Sequence, residues 1–397
     1  MSASTALTQT PAKDLGFCPE RLKHLREVLQ DEVKRGRLPG AVVMIARHGQ
    51  VAMRDQLGWQ DPLAQTPMRF DSLFRVYSMT KPIVSVAVMM LVEQGRLMLS
   101  DAVAKHLPEY AQMQWQDAQG QLHPVKRAMT VQDLLRHTAG LTYEFLGQSP
   151  VQRAYAQVNI GSRERDNAAF SQTLAAMPLA FEPGSAWEYS RATDVLGRLI
   201  EVISGQRLGD FLQSQILGPL KMHDTTFAVP EADWGRVAEP FAHDPDGGVP
   251  MRVIDVRQTP PLESGGGGLI STAHDYARFC QFMLNKGELD GVRLLAPTTV
   301  DFMTADHLGD IPLHHPDLAS LLPPGHGFGL GFAVRKTLGE ASVPGSVGLY
   351  YWGGIAGTTF FIDPVLDLFA ILLIQAPNQR DYYRPLFRNL VYASVLR

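Results

Sequence analysis

Ser78-Met79-Thr80-Lys81-Pro82-Ile83-Val84-Ser85-Val86-Ala87-Val88-Met89-Met90-Leu91-Val92 is the stretch on which the reading of this chain turns. Its second half reads as an apolar helix, and the residues before it, Ser72 to Ser78, read as an extended approach. Ser78 then falls at a helix N-terminus, where unpaired backbone N–H groups and the macrodipole favour developing negative charge. Pro82 sits in or just after the first turn, where a missing N–H costs little. On a helix, residues three apart share a face with Cβ atoms about 5–6 Å apart, so the Lys81 amine comes within reach of the Ser78 hydroxyl. A serine hydroxyl beside a basic amine is the arrangement of an acyl-transfer site. Ser-x-x-Lys arises readily by chance, so it is the helix-start setting that gives the motif its weight.

Working outward, residues 20–35 carry Leu22, Leu25, Leu29 and Val33 at helical spacing and stop at Gly36, which predicts an amphipathic helix with a glycine exit. Residues 41–47 and 51–57 are β-rich and are joined through His48-Gly49-Gln50, a hairpin signal. Near the other end, residues 348–353, 358–362 and 368–375 read as three strands, with Asp363-Pro364 opening a turn between the last two and a final helix over 384–396. Helices are expected near 130–136, 165–177, 193–204, 208–216 and 273–286, whereas 222–262 and 305–325 carry no readable pattern. The expectation is an α+β protein with an antiparallel sheet built from both ends of the chain and flanked by helices, plus a helical lobe. Residues 1–82 and 262–397 would form a discontinuous α/β domain and 83–261 a mainly helical one, with a substrate cleft between them.

The 397 residues are 45% hydrophobic and 19% charged, with a net charge of −4, as in a water-soluble globular protein. Without a basic tract, no nucleic-acid or anionic membrane partner is expected. Cys18 and Cys280 are too few for a disulfide framework and too far apart for a zinc site. Residues 1–10 lack a charged segment followed by an apolar core, so no export signal is read, and a cytoplasmic location is expected.

Lysine in water has a pKa near 10.4, so Lys81 serves as a base only if it is desolvated or set near another cation. Tyr189, in Pro183-Gly184-Ser185-Ala186-Trp187-Glu188-Tyr189-Ser190-Arg191, precedes a predicted helix on a loop able to reach a cleft, and its phenol is a candidate proton relay. His137 reads as structural. The pair His314-His315 lacks companion ligands at zinc spacing, and no metal or other cofactor is expected. The glycines at 265–268 lack the ending of a phosphate loop and read as a flexible or tight backbone passage near the cleft. No Gly-x-Ser-x-Gly occurs, which argues against a nucleophile elbow.

Ser78-x-x-Lys81, Leu134-Leu-Arg-His137-Thr-Ala-Gly140-Leu, Tyr189 and Gly266-Gly-Gly-Leu-Ile-Ser-Thr-Ala-His-Asp275-Tyr-Ala-Arg-Phe together resemble the serine β-lactamase and penicillin-binding protein superfamily. Within it the chain is most similar to the family VIII carboxylesterases, over roughly residues 20–375. The resemblance implies a β-lactamase/transpeptidase-like fold, with Ser78 as nucleophile, Lys81 as its activator and Tyr189 as general base or relay. Where β-lactamases carry Tyr-x-Asn, Arg191 stands at the third position, and at the strand of their Lys-Thr-Gly motif this chain has Trp352-Gly353-Gly354. Lys336-Thr337-Leu338-Gly339 is one residue too long and precedes the wrong strand. These departures favour an esterase over a lactamase. The backbone N–H groups of Ser78 and, by resemblance, Ile355 would form the oxyanion hole, with Trp352, Gly353, Gly354 and Arg191 facing substrate.

The expected reaction is hydrolysis of short-chain carboxylic esters through an acyl-enzyme, with weak β-lactamase or cephalosporin deacetylase activity at the side. Rivals on the same scaffold are a β-lactamase, a D-amino-acid peptidase and an acyltransferase, for which Arg191 is the one loop cation able to face a substrate carboxylate. The rival of another class is an inert binding protein. The expected partner is a small-molecule ester; the sequence is silent on oligomeric state.

Overall fold

The computed structural model describes residues 7–396; residues 1–6, part of the stretch read as lacking an export signal, lie outside them. Its main element is an eight-stranded antiparallel sheet of β1 (Gly40–Arg47), β2 (Gln50–Asp61), β3 (Thr66–Pro67), β4 (His326–Phe328), β5 (Ala333–Arg335), β6 (Tyr350–Gly353), β7 (Thr359–Asp363) and β8 (Leu368–Ile374). The order across the sheet is β4-β5-β6-β7-β8-β1-β2-β3, so the two ends of the chain meet where β8 pairs with β1, Ala41 opposite Ile374 and Arg47 opposite Leu368. The β1–β2 turn is two residues, His48 and Gly49, with φ of 54° and 72°. Two consecutive left-handed residues match the twist of a tight hairpin.

Side-chain alternation sends each strand's residues to two different cores. Ala41, Val43 and Ile45 of β1 and Leu368, Ala370 and Leu372 of β8 pack with Leu22, Leu25 and Leu29 of α1 (Pro19–Lys34) and with Tyr383, Phe387 and Val391 of the last long helix, Arg380–Ser394. Val42, Met44, Phe369, Ile371 and Leu373 face the other core. Covered on both faces, β1 and β8 are buried along their whole length and therefore read as unbroken apolar runs.

The second core is centred on α2 (Thr80–Glu93), in which every residue from Thr80 to Leu91 is buried. Around and beyond it, the chain between the sheet halves forms α3 (Val131–Leu135), α4 (Pro150–Gln157), α5 (Asn167–Ala175), α6 (Ala192–Ser204) and α7 (Leu208–Leu212), followed by α8 (Ala273–Leu284) and α9 (Pro297–Met303). Helix α8 packs on β8 and β1. The helix Arg380–Ser394, α10, begins four residues before the 384 expected and holds Pro385 within it.

The two segments without sequence pattern are held by specific contacts. Segment 222–262 is anchored where Arg236 grips Asp224 through Nη1 and Nη2, at 2.8 and 2.7 Å, and where the Arg75 guanidinium donates to the Ile254 and Ala238 carbonyls. Segment 305–325 is tied to the Trp187 backbone: Trp187 N–H donates to Pro312 O and His314 N–H to Trp187 O. No helix among the described residues is long and apolar enough to cross a membrane.

Candidate active site

The chain enters the site through Phe74–Arg75, paired with Ile270–Ser271, and then turns at Tyr77, whose φ is 44°. A bulky residue in the left-handed region is strained, and such strain persists only where the surroundings over-determine it. The Tyr77 phenol accepts from Ile254 N–H at 2.9 Å, Met79 O accepts from the Tyr276 phenol at 2.9 Å, and Thr80 Oγ1 accepts from Leu269 N–H at 3.1 Å. These contacts hold a short 3₁₀ turn, Tyr77–Met79, that delivers Ser78 to the start of α2.

Lys81 is 1% exposed. Its Nζ lies 3.3 Å from Ser78 Oγ, 2.8 Å from the Tyr143 phenol oxygen and 2.6 Å from the Gly266 carbonyl. Burial drives its pKa from 10.5 down to about 7; the Asp194 carboxylate opposes that shift and the Arg191 cation adds to it.

Tyr189 is also buried, with its ring centroid 4.5 Å from Lys81 Nζ. Its phenol oxygen accepts from the Trp352 indole at 3.0 Å and is hydrogen-bonded to Ser78. Burial raises its pKa, and these two hydrogen bonds pull it only part of the way back. His137 does not reach Ser78. It stands behind Tyr189, centroids 5.0 Å apart, with Nδ1 3.0 Å from Ser190 Oγ, and burial keeps its ring neutral.

Glycines 265–268 form a tight passage. A Cβ on Gly265 would meet Thr193 O at 2.5 Å, and one on Gly266 would meet Asp194 Oδ2 at 2.6 Å. The segment therefore lies flush against α6, where Gly266 N–H donates to Asp194 Oδ1 at 3.0 Å and Gly266 O is turned to Lys81. On the opposite wall a Cβ on Gly354 would meet Val76 O at 2.3 Å, and one on Gly353 would meet Thr358 O at 2.8 Å. These two glycines thus admit neighbouring backbone as well as leaving the strand end uncrowded. Trp352 stands beside them, buried against Tyr189 and Phe328.

Ser78, Tyr143, Tyr189, Trp352 and Ile355 line one cleft of about 710 Å³. Arg191 borders it, but its guanidinium is paired with Glu144, lies 3.7 Å from Asp194 and stacks 4.8 Å from the Tyr143 ring centroid. Its charge is occupied within the protein. Lys336, the superficial match to a lactamase lysine, pairs with Asp306 at 3.0 Å. His314 pairs with the buried Glu188 at 2.5 Å.

Three residues that the sequence did not single out join the site. Tyr143 lies two positions past the Leu134–Leu141 motif, Asp194 is in the first turn of α6, and Arg384 lies on α10 and donates to the Gly354 carbonyl. Tyr143 was within reach of sequence reasoning, as an aromatic beside a quoted motif. Asp194 and Arg384 were not.

Residues 25–393 match the Beta-lactamase family. Esterase EstB of Burkholderia gladioli is 34% identical over 394 residues, covering 93% of this chain and 94% of EstB. The lovastatin esterase of Penicillium rubens is 30% identical over 392 residues, covering 91% and 96%. Among solved structures, EstCE1, described as a hydrolase with promiscuous acyltransferase activity, superposes with a TM-score of 0.81 at 28% identity, covering 94% of this chain and 98% of EstCE1.

Proposed function

The chain belongs to the Beta-lactamase family and is a serine hydrolase of the family VIII esterase kind, and on that premise we propose that it hydrolyses carboxylic esters with short acyl groups through an acyl-enzyme on Ser78. The observation that carries the reading is the environment of Lys81. A neutral amine has two N–H donors and one lone pair. The two short contacts, to Gly266 O and the Tyr143 phenol, take the donors, and the lone pair is left for the third and longest partner, the Ser78 hydroxyl. With burial pulling its pKa to about 7, Lys81 is substantially neutral at neutral pH and able to accept that proton.

Burial acts in the opposite sense on Tyr189, keeping its phenol protonated. Lys81 is therefore the base in acylation: it takes the Ser78 proton, Tyr189, bonded to Ser78, gives its own proton to the leaving alcohol, and the Lys81 ammonium returns a proton to the Tyr189 phenolate, so that both are reset when the acyl-enzyme has formed. The same pair activates the water that releases the acid. The Ser78 and Ile355 N–H groups receive the oxyanion, and Trp352 fixes the Tyr189 phenol while walling the acyl pocket.

Arg191 is held by Glu144 and Asp194, which leaves it a poor partner for a β-lactam carboxylate and favours the ester reading over the lactamase one. Acyl transfer to a second alcohol is the reading that EstCE1's description favours, since any alcohol reaching the acyl-enzyme competes with water. The test is hydrolysis of p-nitrophenyl butyrate and nitrocefin by wild type and Ser78→Ala. Rapid ester cleavage that disappears in the variant, with little nitrocefin opening, supports the proposal. Strong nitrocefin turnover, or ester cleavage that survives the substitution, overturns it.

A further inference from the structure

Beyond Ile355 the cleft runs on to α10, where Arg380, Arg384 and Arg388 recur every fourth residue and all line it. Like charges at this spacing repel, and the chain as a whole is acidic, so general basicity does not account for the row. Arg380 reaches the Pro377 carbonyl at 3.5 Å, and its one ion-pair partner among the described residues is the exposed Asp381, at 3.6 Å. Arg384 and Arg388 form no ion pair among the described residues. Arg384 spends Nη2 on the Gly354 and Thr358 carbonyls, and its Nε is buried with no partner among the described residues. Arg388, also buried, lies 4.2 Å over the Tyr351 ring and 5.3 Å from that of Phe361. A further buried cation, Arg335, stands near Arg388 and donates to the Thr337 and Val343 carbonyls.

Withdrawing a cation from water without a counter-charge is costly, and groups so placed are ordinarily paired. Here the cost already shows: burial and the neighbouring Arg380 bring the Arg384 pKa from 12.5 down to about 10. The missing carboxylate is one the described residues do not supply. Arg384 also touches the Gly354 carbonyl, one residue before Ile355, so an anion held there lies close to the reacting ester. Its guanidinium is a planar donor suited to carboxylate oxygens.

We propose that the cleft is built for esters that carry a carboxylate, with Arg384 and Arg388 as the anion subsite and Arg380 at its rim. The proposal rests on the reading of Ser78 as a hydrolytic nucleophile, and it names the substrate class of that site.

The test compares matched esters. Mono-p-nitrophenyl glutarate against p-nitrophenyl pentanoate puts the charge on the acyl side, and 4-(butyryloxy)benzoate against its methyl ester puts it on the alcohol side. In at least one pair, wild type is expected to favour the anionic member by about tenfold or more in kcat/KM, as one charge-assisted hydrogen bond supplies. That ratio should fall towards one in Arg384→Gln and Arg388→Gln and on raising NaCl, and persist in Arg388→Lys. Equal or faster cleavage of the neutral member in both pairs overturns the proposal. Binding of monomethyl glutarate to Ser78→Ala, measured by calorimetry, separates the subsite from the chemistry. Heat in Ser78→Ala that vanishes with added Arg388→Gln supports the subsite whatever the nucleophile proves to be, and absence of binding overturns it.

Discussion

Replacing Lys81 with methionine should remove a dependence of stability on pH that the wild type has. The folded protein holds the Lys81 amine at a pKa of about 7 against an ordinary 10.5. The amine sheds its proton more readily folded than unfolded, so between those values the unfolded chain binds more protons and wild-type stability rises with pH. Below pH 7 the full penalty applies, about 5 kcal/mol at 1.36 kcal/mol per pK unit. Above pH 10.5 it has gone. Methionine removes the titrating group but leaves Gly266 O and the Tyr143 phenol without their partner, a loss of about 1–3 kcal/mol for each buried group. That loss is nearly independent of pH.

The stability of Lys81→Met minus that of wild type should therefore be most favourable near pH 6 and decline by about 1.4 kcal/mol per pH unit from pH 7 towards 10. Urea unfolding of both proteins at intervals across this range measures the slope, and comparing slopes cancels the contact losses. A difference that stays flat with pH, or that rises with it, would refute the claim that burial depresses the Lys81 pKa, and with it the assignment of Lys81 as base.

The same protonation should appear in turnover: kcat/KM for a neutral ester is expected to climb through about pH 7 as Lys81 loses its proton. Asp194→Asn should move that limb to lower pH, because the carboxylate raises the Lys81 pKa; an unmoved limb in a full pH–rate profile assigns the titration elsewhere. Tyr143→Phe removes the acceptor that orients the Lys81 amine and should lower kcat by about fivefold to a hundredfold, the range for leaving a buried donor without its partner. Wild-type kcat in that variant counts against the lone-pair geometry. Gly266→Ala sets a methyl 2.6 Å from Asp194 Oδ2 and should destabilise by about 1–3 kcal/mol while slowing ester cleavage; thermal melts and steady-state rates report the two effects separately.

How far the sequence could be read followed how local each determinant is. The 41–57 hairpin, the 20–35 helix and the three strands from 348 to 375 emerged within a residue or two, except that β2 runs four residues past 57 to Asp61, because buried faces impose periodicity on the residues themselves. β4 and β5 did not emerge. Each is three residues long, among glycines, and is a strand only because β6 supplies the pairing edge. α10, expected from 384, starts at Arg380 because the 3₁₀ turn Pro377–Gln379 already sets the chain winding ahead of it. Segment 305–325 had no pattern because its order comes from the Trp187 backbone and from His314 on Glu188, partners far away in the chain.

Sequence alone determined the ingredients of the site: a serine and a lysine on one helical face, a tyrosine ahead of another helix, a tryptophan with two glycines at a strand end. Spacing along a helix is a property of the chain, so Ser78 and Lys81 had to be neighbours wherever that helix lay. Whether the lysine is a base was decided only by tertiary structure. Its low pKa arises from burial in the second core, and its lone pair is aimed by a carbonyl that is held in place where Gly265 and Gly266 lie flush against α6. The charge of the cleft was likewise beyond the sequence. Arg191, close by in the chain, is neutralised by Glu144, and Arg384, 193 positions further on, is the cation beside the reacting strand. Desolvation and ion pairing depend on what surrounds a group in space, and no periodicity records that.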